Sequence, residues 1–242
     1  MKDIITTTIT MTQPMTMRDI SGIENIHERI EESPTKRWIK SIPMDKSIPF
    51  QDYNRNGYFS LVAEIVLDNI LSTSGVKQRN TMIQFVPSIP KSVFEKNCEW
   101  LYLFTINGMI VKIGGTRNGL KQRCGSYLCG HHTTDRGNSG SCSNTNAFIY
   151  NTFEFYLKLG CKVEMYGYQL PNTEITIDIF GEQQRITAQT YHAYESTFLE
   201  DYKKNYDAYP FLSDNCDPNY KKPKPAKEPK SAKKAEKAET SK

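Results

Sequence analysis

The sequence predicts an α+β domain: a small mixed or antiparallel sheet flanked by helices, with an N-terminal helical extension and a disordered basic tail. Three observations carry this. WLYLFTINGMIVKIGGT is two apolar runs joined by Asn107-Gly108, the strongest short-range signal for a β-hairpin. A polar, helix-like segment bearing Arg123 and Tyr127 follows at once. Beyond it, the strand-like runs KVEMYGYQL and ITIDIF lie between the helical patterns AFIYNTFEFYLKLG and TYHAYESTFLEDYKKNY. A chain of 242 residues, 38% hydrophobic and 11% aromatic, has room for one domain or one and a half and can bury a core.

Residues 1–18 are rich in Thr and Met and are expected to be poorly ordered. SGIENIHERIEES reads as a short helix, with Ser21 and Glu24 at capping-box spacing and Ile23, Ile26 and Ile30 on one face. Pro34, Pro43 and Pro49 mark irregular chain. FSLVAEIVLDNILS reads as the best helix of the sequence, its apolar stripe formed by Leu61, Val62, Ile65, Val66, Leu67 and Ile70. MIQFV is strand-like. Residues 130–146 form a long loop rich in Gly, Ser, Thr and Asn. Gly160 is a C-cap signal for the helix before it, and ITAQ leads into the helix that carries Glu195. After Tyr220, Lys-Pro-Ala repetition marks the disordered tail, residues 221–242.

Nine lysines and three glutamates give that tail a net charge of +6, so the remaining residues carry −2 of the total +4. Affinity for nucleic acid therefore cannot rest on bulk charge; it has to come from local basic patches and the tail. The tail is a solvated extension that would attract DNA weakly and in a salt-dependent way. No run of about 18 apolar residues predicts a membrane span, and the N-terminus has no continuous apolar segment of a secretory signal. Six cysteines are too sparse for a disulfide framework, so reduced thiols are expected. An intracellular protein is the expectation: cytoplasmic, or nuclear or in a viral factory should the host be eukaryotic.

A hairpin followed by a helix can bring Tyr102, Lys112 and Arg123 to one surface, and a phenol, an amine and a guanidinium together suit a phosphate. The pattern resembles the GIY-YIG nuclease family. Trp100-Leu101-Tyr102 matches the first motif in its tyrosine, and Lys112-Ile113-Gly114 matches the second in Ile113 and Gly114. Asn118-Gly119-Leu120 with Arg123 is similar to the family's arginine segment; Glu195 and Asn215 fall where its glutamate and late asparagine do. The resemblance covers about half of the chain.

It implies a catalytic domain over residues 98–220 and, over residues 19–97, a helical extension that helps to grip DNA. It further implies hydrolysis of phosphodiester bonds in double-stranded DNA. Tyr102 would be the general base, Arg123 the phosphate clamp, Asn215 a positioning residue, and Glu195 the ligand of Mg²⁺, for which Mn²⁺ can substitute. Lys112 stands where the family usually has its second tyrosine, as in some of its restriction enzymes. Its ammonium would lower the phenol's pKa, or its neutral amine would accept the proton. Tyr127, four residues after Arg123 on the same helix face, would take over part of the missing phenol's task.

The absence of a separate DNA-binding module favours a type II restriction enzyme acting on a palindrome, as a homodimer or by successive nicking. A homing or repair endonuclease, or a DNA-binding module without catalysis, is the alternative. Candidate DNA contacts are Lys77, Gln78, Arg79 and Asn80 ahead of MIQFV, Arg117 and Asn118 after the hairpin, and His131, His132 and Arg136 in the long loop. Lys77–Asn80 also fits a solvated loop. Cys124, Cys129, His131, His132 and Cys142 could supply zinc ligands, but their spacing matches no strong zinc pattern, and Cys124 and Cys129 fit buried small hydrophobes better.

Overall fold

The computed structural model describes residues 26–54, 56–68, 81–132 and 142–213. The expectations for residues 1–18, Lys77, Gln78, Arg79, Asn80, Arg136, Asn215 and the tail lie outside these residues.

Helix α1 (Ile26–Glu31) is the core of the first expected helix and buries Ile30. A short strand, β1 (Ile48–Pro49), runs directly into α2 (Phe50–Tyr53). Strands β2 (Ser60–Leu67) and β3 (Ile83–Pro87) precede a short helix, α3 (Lys91–Phe94). The expected hairpin is β4 (Trp100–Ile106) and β5 (Met109–Thr116), and α4 (Leu120–Leu128) follows it. The turn between them places both Asn107 and Gly108 at positive φ, the demand that makes Asn-Gly the preferred pair. Helix α5 (Asn144–Lys158) starts where the Ser143 hydroxyl accepts the Asn146 N–H and ends just before Gly160, at φ +85°. Strand β6 (Val163–Gln169) leads to the hairpin β7 (Thr173–Ile179) and β8 (Glu182–Ala188), and α6 (Tyr191–Tyr206) closes the set.

Six strands form one sheet in the order β1-β5-β4-β6-β2-β3, each neighbouring pair antiparallel. The fold is α+β with helices on this sheet. Two expectations are corrected. The stretch expected as the best helix is strand β2, paired on both sides between β6 and the edge strand β3. Residues 19–97 are thus not a helical extension alone, for they give three strands to the main sheet. The physical reason is burial on both faces: Val62, Ala63 and Ile65 are all buried, and a register shift at Leu61/Ala63 breaks the alternation. The run then imitates helical spacing, although its β-branched content and eight-residue length suit a strand. ITAQ leads into the last helix as expected, its first three residues being the end of β8, and β7 with β8 forms a separate two-stranded sheet.

The main sheet has a core on each face. Tyr102, Phe104, Ile106, Leu120, Cys124, Tyr127, Ile149 and Phe153 pack on one side, where α4 and α5 lie. Leu101, Leu103, Ile110, Ile113, Leu199 and Tyr202 pack on the other, under α6. Strand β4, covered on both faces by helices and on both edges by strands, is buried along its whole length. Among the described residues no helix is long and apolar enough to cross a membrane.

Candidate active site

The site begins with two glycines on β5. Tyr102 pairs with Gly114 and Leu101 with Gly115, and successive residues of a strand point to opposite faces. A Cβ on Gly114 would lie 2.5 Å from the Tyr102 hydroxyl oxygen. A Cβ on Gly115 would lie 2.7 Å from Tyr191 Cδ2 and 3.1 Å from Glu195 Oε2. The strand is thin at this point. The phenol reaches it from the α4 side and the carboxylate from the α6 side, because neither glycine has a side chain in the way.

On the first side, three groups are joined directly. The Tyr102 and Tyr127 hydroxyls share a 2.6 Å hydrogen bond. Arg123 Nε donates to Tyr102 Oη at 2.6 Å, and Arg123 Nη2 donates to Tyr127 Oη at 2.9 Å. The guanidinium carbon also lies 4.5 Å from the centre of the Tyr127 ring. Both tyrosines are fully buried, and Phe104 meets each ring edge-on. Helix α4 supplies Arg123 and Tyr127 one turn apart, as their spacing of four requires. Gly119 allows the helix to start here: its φ is +84°, and a Cβ would strike the Lys96 carbonyl oxygen. Arg117 and Asn118 are exposed in the turn before it.

On the second side, the half-buried Glu195 carboxylate accepts the Gly115 N–H. Desolvation pushes its pKa up; the charges of Lys112, Arg123 and His192 and the Gly115 bond oppose the rise. Lys112, two residues before Gly114 and paired with Phe104, lies on the phenol side of β5; it is buried, and its ammonium donates to Leu212 O at 3.3 Å. Burial raises the Tyr102 phenol above its ordinary range, with Arg123 and the Tyr127 bond opposing and Glu195 adding to the rise. Tyr127 lies well above its ordinary value for the same leading cause, and Tyr102 raises it further. Arg123 opposes the rise in both phenols.

Five of the six candidate catalytic residues thus surround the thin part of β5: Tyr102, Lys112, Arg123, Tyr127 and Glu195. Among the candidate DNA contacts, His131 is buried, with Nδ1 2.7 Å from Leu128 O, and its ring lies 3.6 Å from that of His132. It faces the interior next to Tyr150 rather than the surface, because the short turn after α4 folds it inward. His132 is half-buried. The zinc alternative gains no support: among the described residues no three His, Cys, Asp or Glu side chains gather as metal ligands. Cys124 is buried with its thiol 3.7 Å from Met165 Sδ, as a small hydrophobe would be.

Two positioning groups were not read from the sequence. Glu99, just ahead of β4, accepts the Thr190 N–H at 2.9 Å and the Thr190 hydroxyl at 3.0 Å through Oε2; the Tyr191 N–H donates to Oε1 at 3.5 Å. Thr190 makes no side-chain cap of its own, so a carboxylate 91 residues away caps α6 and fixes the helix that carries Glu195. Ser213 is the second. Its hydroxyl accepts the Ile113 N–H and donates to Ile113 O, both at 3.0 Å, while Leu212 N donates to Val111 O at 2.7 Å. Beyond the reach of β1, this segment covers the outer edge of β5. No local pattern marks either residue, since each acts on a distant part of the chain.

No family model and no curated protein matches the chain. Among solved structures it is similar to restriction endonuclease HPY188I in complex with product DNA. The identity is 28%, over 72% of this chain and 88% of that one, with a TM-score of 0.43. It is also similar to a mutant of bacteriophage T4 EndoII, at 22% identity over 64% of this chain and 96% of that one, with a TM-score of 0.43.

Proposed function

We propose that the protein is a Mg²⁺-dependent endonuclease that hydrolyses phosphodiester bonds of double-stranded DNA, as a sequence-specific restriction enzyme of type II. The observation that supports it best is the meeting, around one glycine pair, of a phenol–guanidinium cluster and a desolvated carboxylate. A buried core tyrosine needs one partner for its hydroxyl. Here two buried hydroxyls and a guanidinium form a closed set with the charge of Glu195 beside it.

Tyr102 is the group that would take a proton from an attacking water. Its own proton has to leave first, and Lys112, on the neighbouring strand β5, is the proposed partner in that exchange. Arg123 would hold a nonbridging phosphate oxygen by exchanging part of its bonding to the phenols for bonds to the phosphate. Tyr127 would hold Tyr102 in place through their shared hydrogen bond. Glu195 fits a Mg²⁺ ligand: a single hard-oxygen carboxylate that lies against the bare backbone of Gly115 suits an ion that keeps most of its waters. When bound, Mg²⁺ would polarise the phosphate and stabilise the leaving oxygen.

The test is incubation of the purified protein with plasmid DNA and Mg²⁺, followed by electrophoresis. Discrete bands are expected. A smear would remove the sequence specificity, and intact plasmid over a wide range of sequences and ions would remove the nuclease reading.

A further inference from the structure

The β7–β8 hairpin has no covering layer. None of its fourteen strand residues is buried. The register pairs Ile175 with Ile186, Ile177 with Gln184 and Ile179 with Glu182, so the isoleucines share one face. Ile175, Ile179 and Ile186 are exposed. A two-stranded sheet is marginal in water without further strands or an apolar layer against it.

The tip is more unusual. Phe180 and Gly181 form the two-residue turn, at φ +56° and +86°. Asn-Gly is preferred in such a turn, and a bulky residue at positive φ is strained. Phe180 accepts this conformation with its side chain fully in solvent, at 102% exposure. Strain at an exposed aromatic is the mark of a contact made elsewhere.

A fitting receptor exists on the same chain. A cavity of about 270 Å³ lies between α2, the start of β2 and the middle of α6. Tyr53, Tyr58, Phe59 and Phe198 supply its aromatic lining, and Tyr58 is half exposed. Edge-on contacts between its rings at 5.6–6.4 Å show the geometry in which a further aromatic ring would be held.

We propose that the hairpin is a dimerisation arm, and that Phe180 of one copy seats in the aromatic cavity of a second copy. Each chain carries one knob and one socket, so a two-fold arrangement satisfies both at once. DNA is the poorer occupant. Glu174, Asp178 and Glu182 outnumber Arg185, which gives the hairpin a net charge of −2 and repels a polyanion. The lysine-rich tail is poorer too, since Ala and Pro are its only apolar residues. Covering Phe180 removes roughly 200 Å² from water, and with the isoleucine face the apolar part is on the order of 400 Å² per copy. Each copy would bury its own arm and, under the other arm, a socket surface of similar area, which together approach the area of about 800 Å² per partner of a standard interface.

Sedimentation equilibrium of the full chain tests this. The wild type is expected to be a dimer, with Phe180→Asp and Tyr58→Asp both monomers at the same concentration. Circular dichroism and an unchanged unfolding midpoint establish that the variants are folded. Excising the hairpin by joining Thr173 to Ala188, which are register partners, gives a third monomer should either substitution fail to fold. A monomeric wild type, or a dimer that survives any one of these changes in folded protein, overturns the proposal. The mass measurement requires no cleavage, so its outcome is independent of the nuclease reading.

Discussion

Tyr102 is a poor base as it stands in the free protein. Its phenol is pushed above the ordinary value near 10, so at neutral pH it is protonated. If its ionised form drives hydrolysis, the single-turnover rate should rise about tenfold per pH unit from pH 7 to pH 9. A flat profile measured under saturating DNA would remove the phenol as the essential base. Tyr102→Phe should lower that rate at least 10²-fold, at the low end of what one general base contributes; a loss below tenfold would have the same meaning as the flat profile. Glu195→Gln should abolish cleavage while leaving DNA binding, read by gel shift. A second measurement on this variant separates desolvation from mere proximity. A carboxyl whose native pKa lies above its unfolded one makes the native state hold its proton longer. Stability is then greatest below the ordinary carboxylate range and falls as pH rises through the raised native value. At neutral pH the ionised Glu195 is a cost, so Glu195→Gln should melt higher than the wild type. An unchanged or lower melting temperature would show that Lys112 and Arg123 fully offset the burial.

Among elements, β5 and α6 decide the site. Glu99→Ala removes the cap of α6 and should cost about 0.5–2 kcal/mol, as lost caps do. Because the same helix carries Glu195, cleavage should fall as well, and Glu99→Gln, which keeps an acceptor, should recover part of both. Loss of stability with undiminished cleavage would restrict Glu99 to the fold. The hairpin and the arginine helix were legible because Asn107-Gly108 and the 123/127 spacing act within a few residues. Strand β2 was not, because burial on both faces erases the alternation that separates strand from helix. Glu99 and Ser213 were invisible for a further reason: their hydrogen bonds join residues 91 and 100 positions apart, beyond any local pattern. Gly114 was read as part of a motif and Gly115 only as part of the hairpin, whereas their physical reason, access from both faces of one strand, required coordinates.

For the molecule as a whole, the most exposed weakness is the outer edge of β5. Ser213 is fully buried and satisfies both the N–H and the carbonyl of Ile113. Ser213→Ala should leave that N–H without a partner and cost about 1–3 kcal/mol. At about 2–4 °C per kcal/mol for a chain of this size, a melting temperature lower by several degrees is expected in calorimetry. A change under one degree would mean that water or a neighbour replaces the hydroxyl. The tie from Leu212 and Ser213 to β5 also sets an order in time. Chains fold as they are made, from the N-terminus. A polypeptide emerging from the ribosome presents its phenols and guanidinium early, but the opposing carboxylate is absent until 68 further residues have followed Tyr127, and the strand beside them stays frayed until 86 have. The centre is therefore whole only once translation has passed Ser213, and a shorter chain lacks the clasp on the margin of its central strand pair.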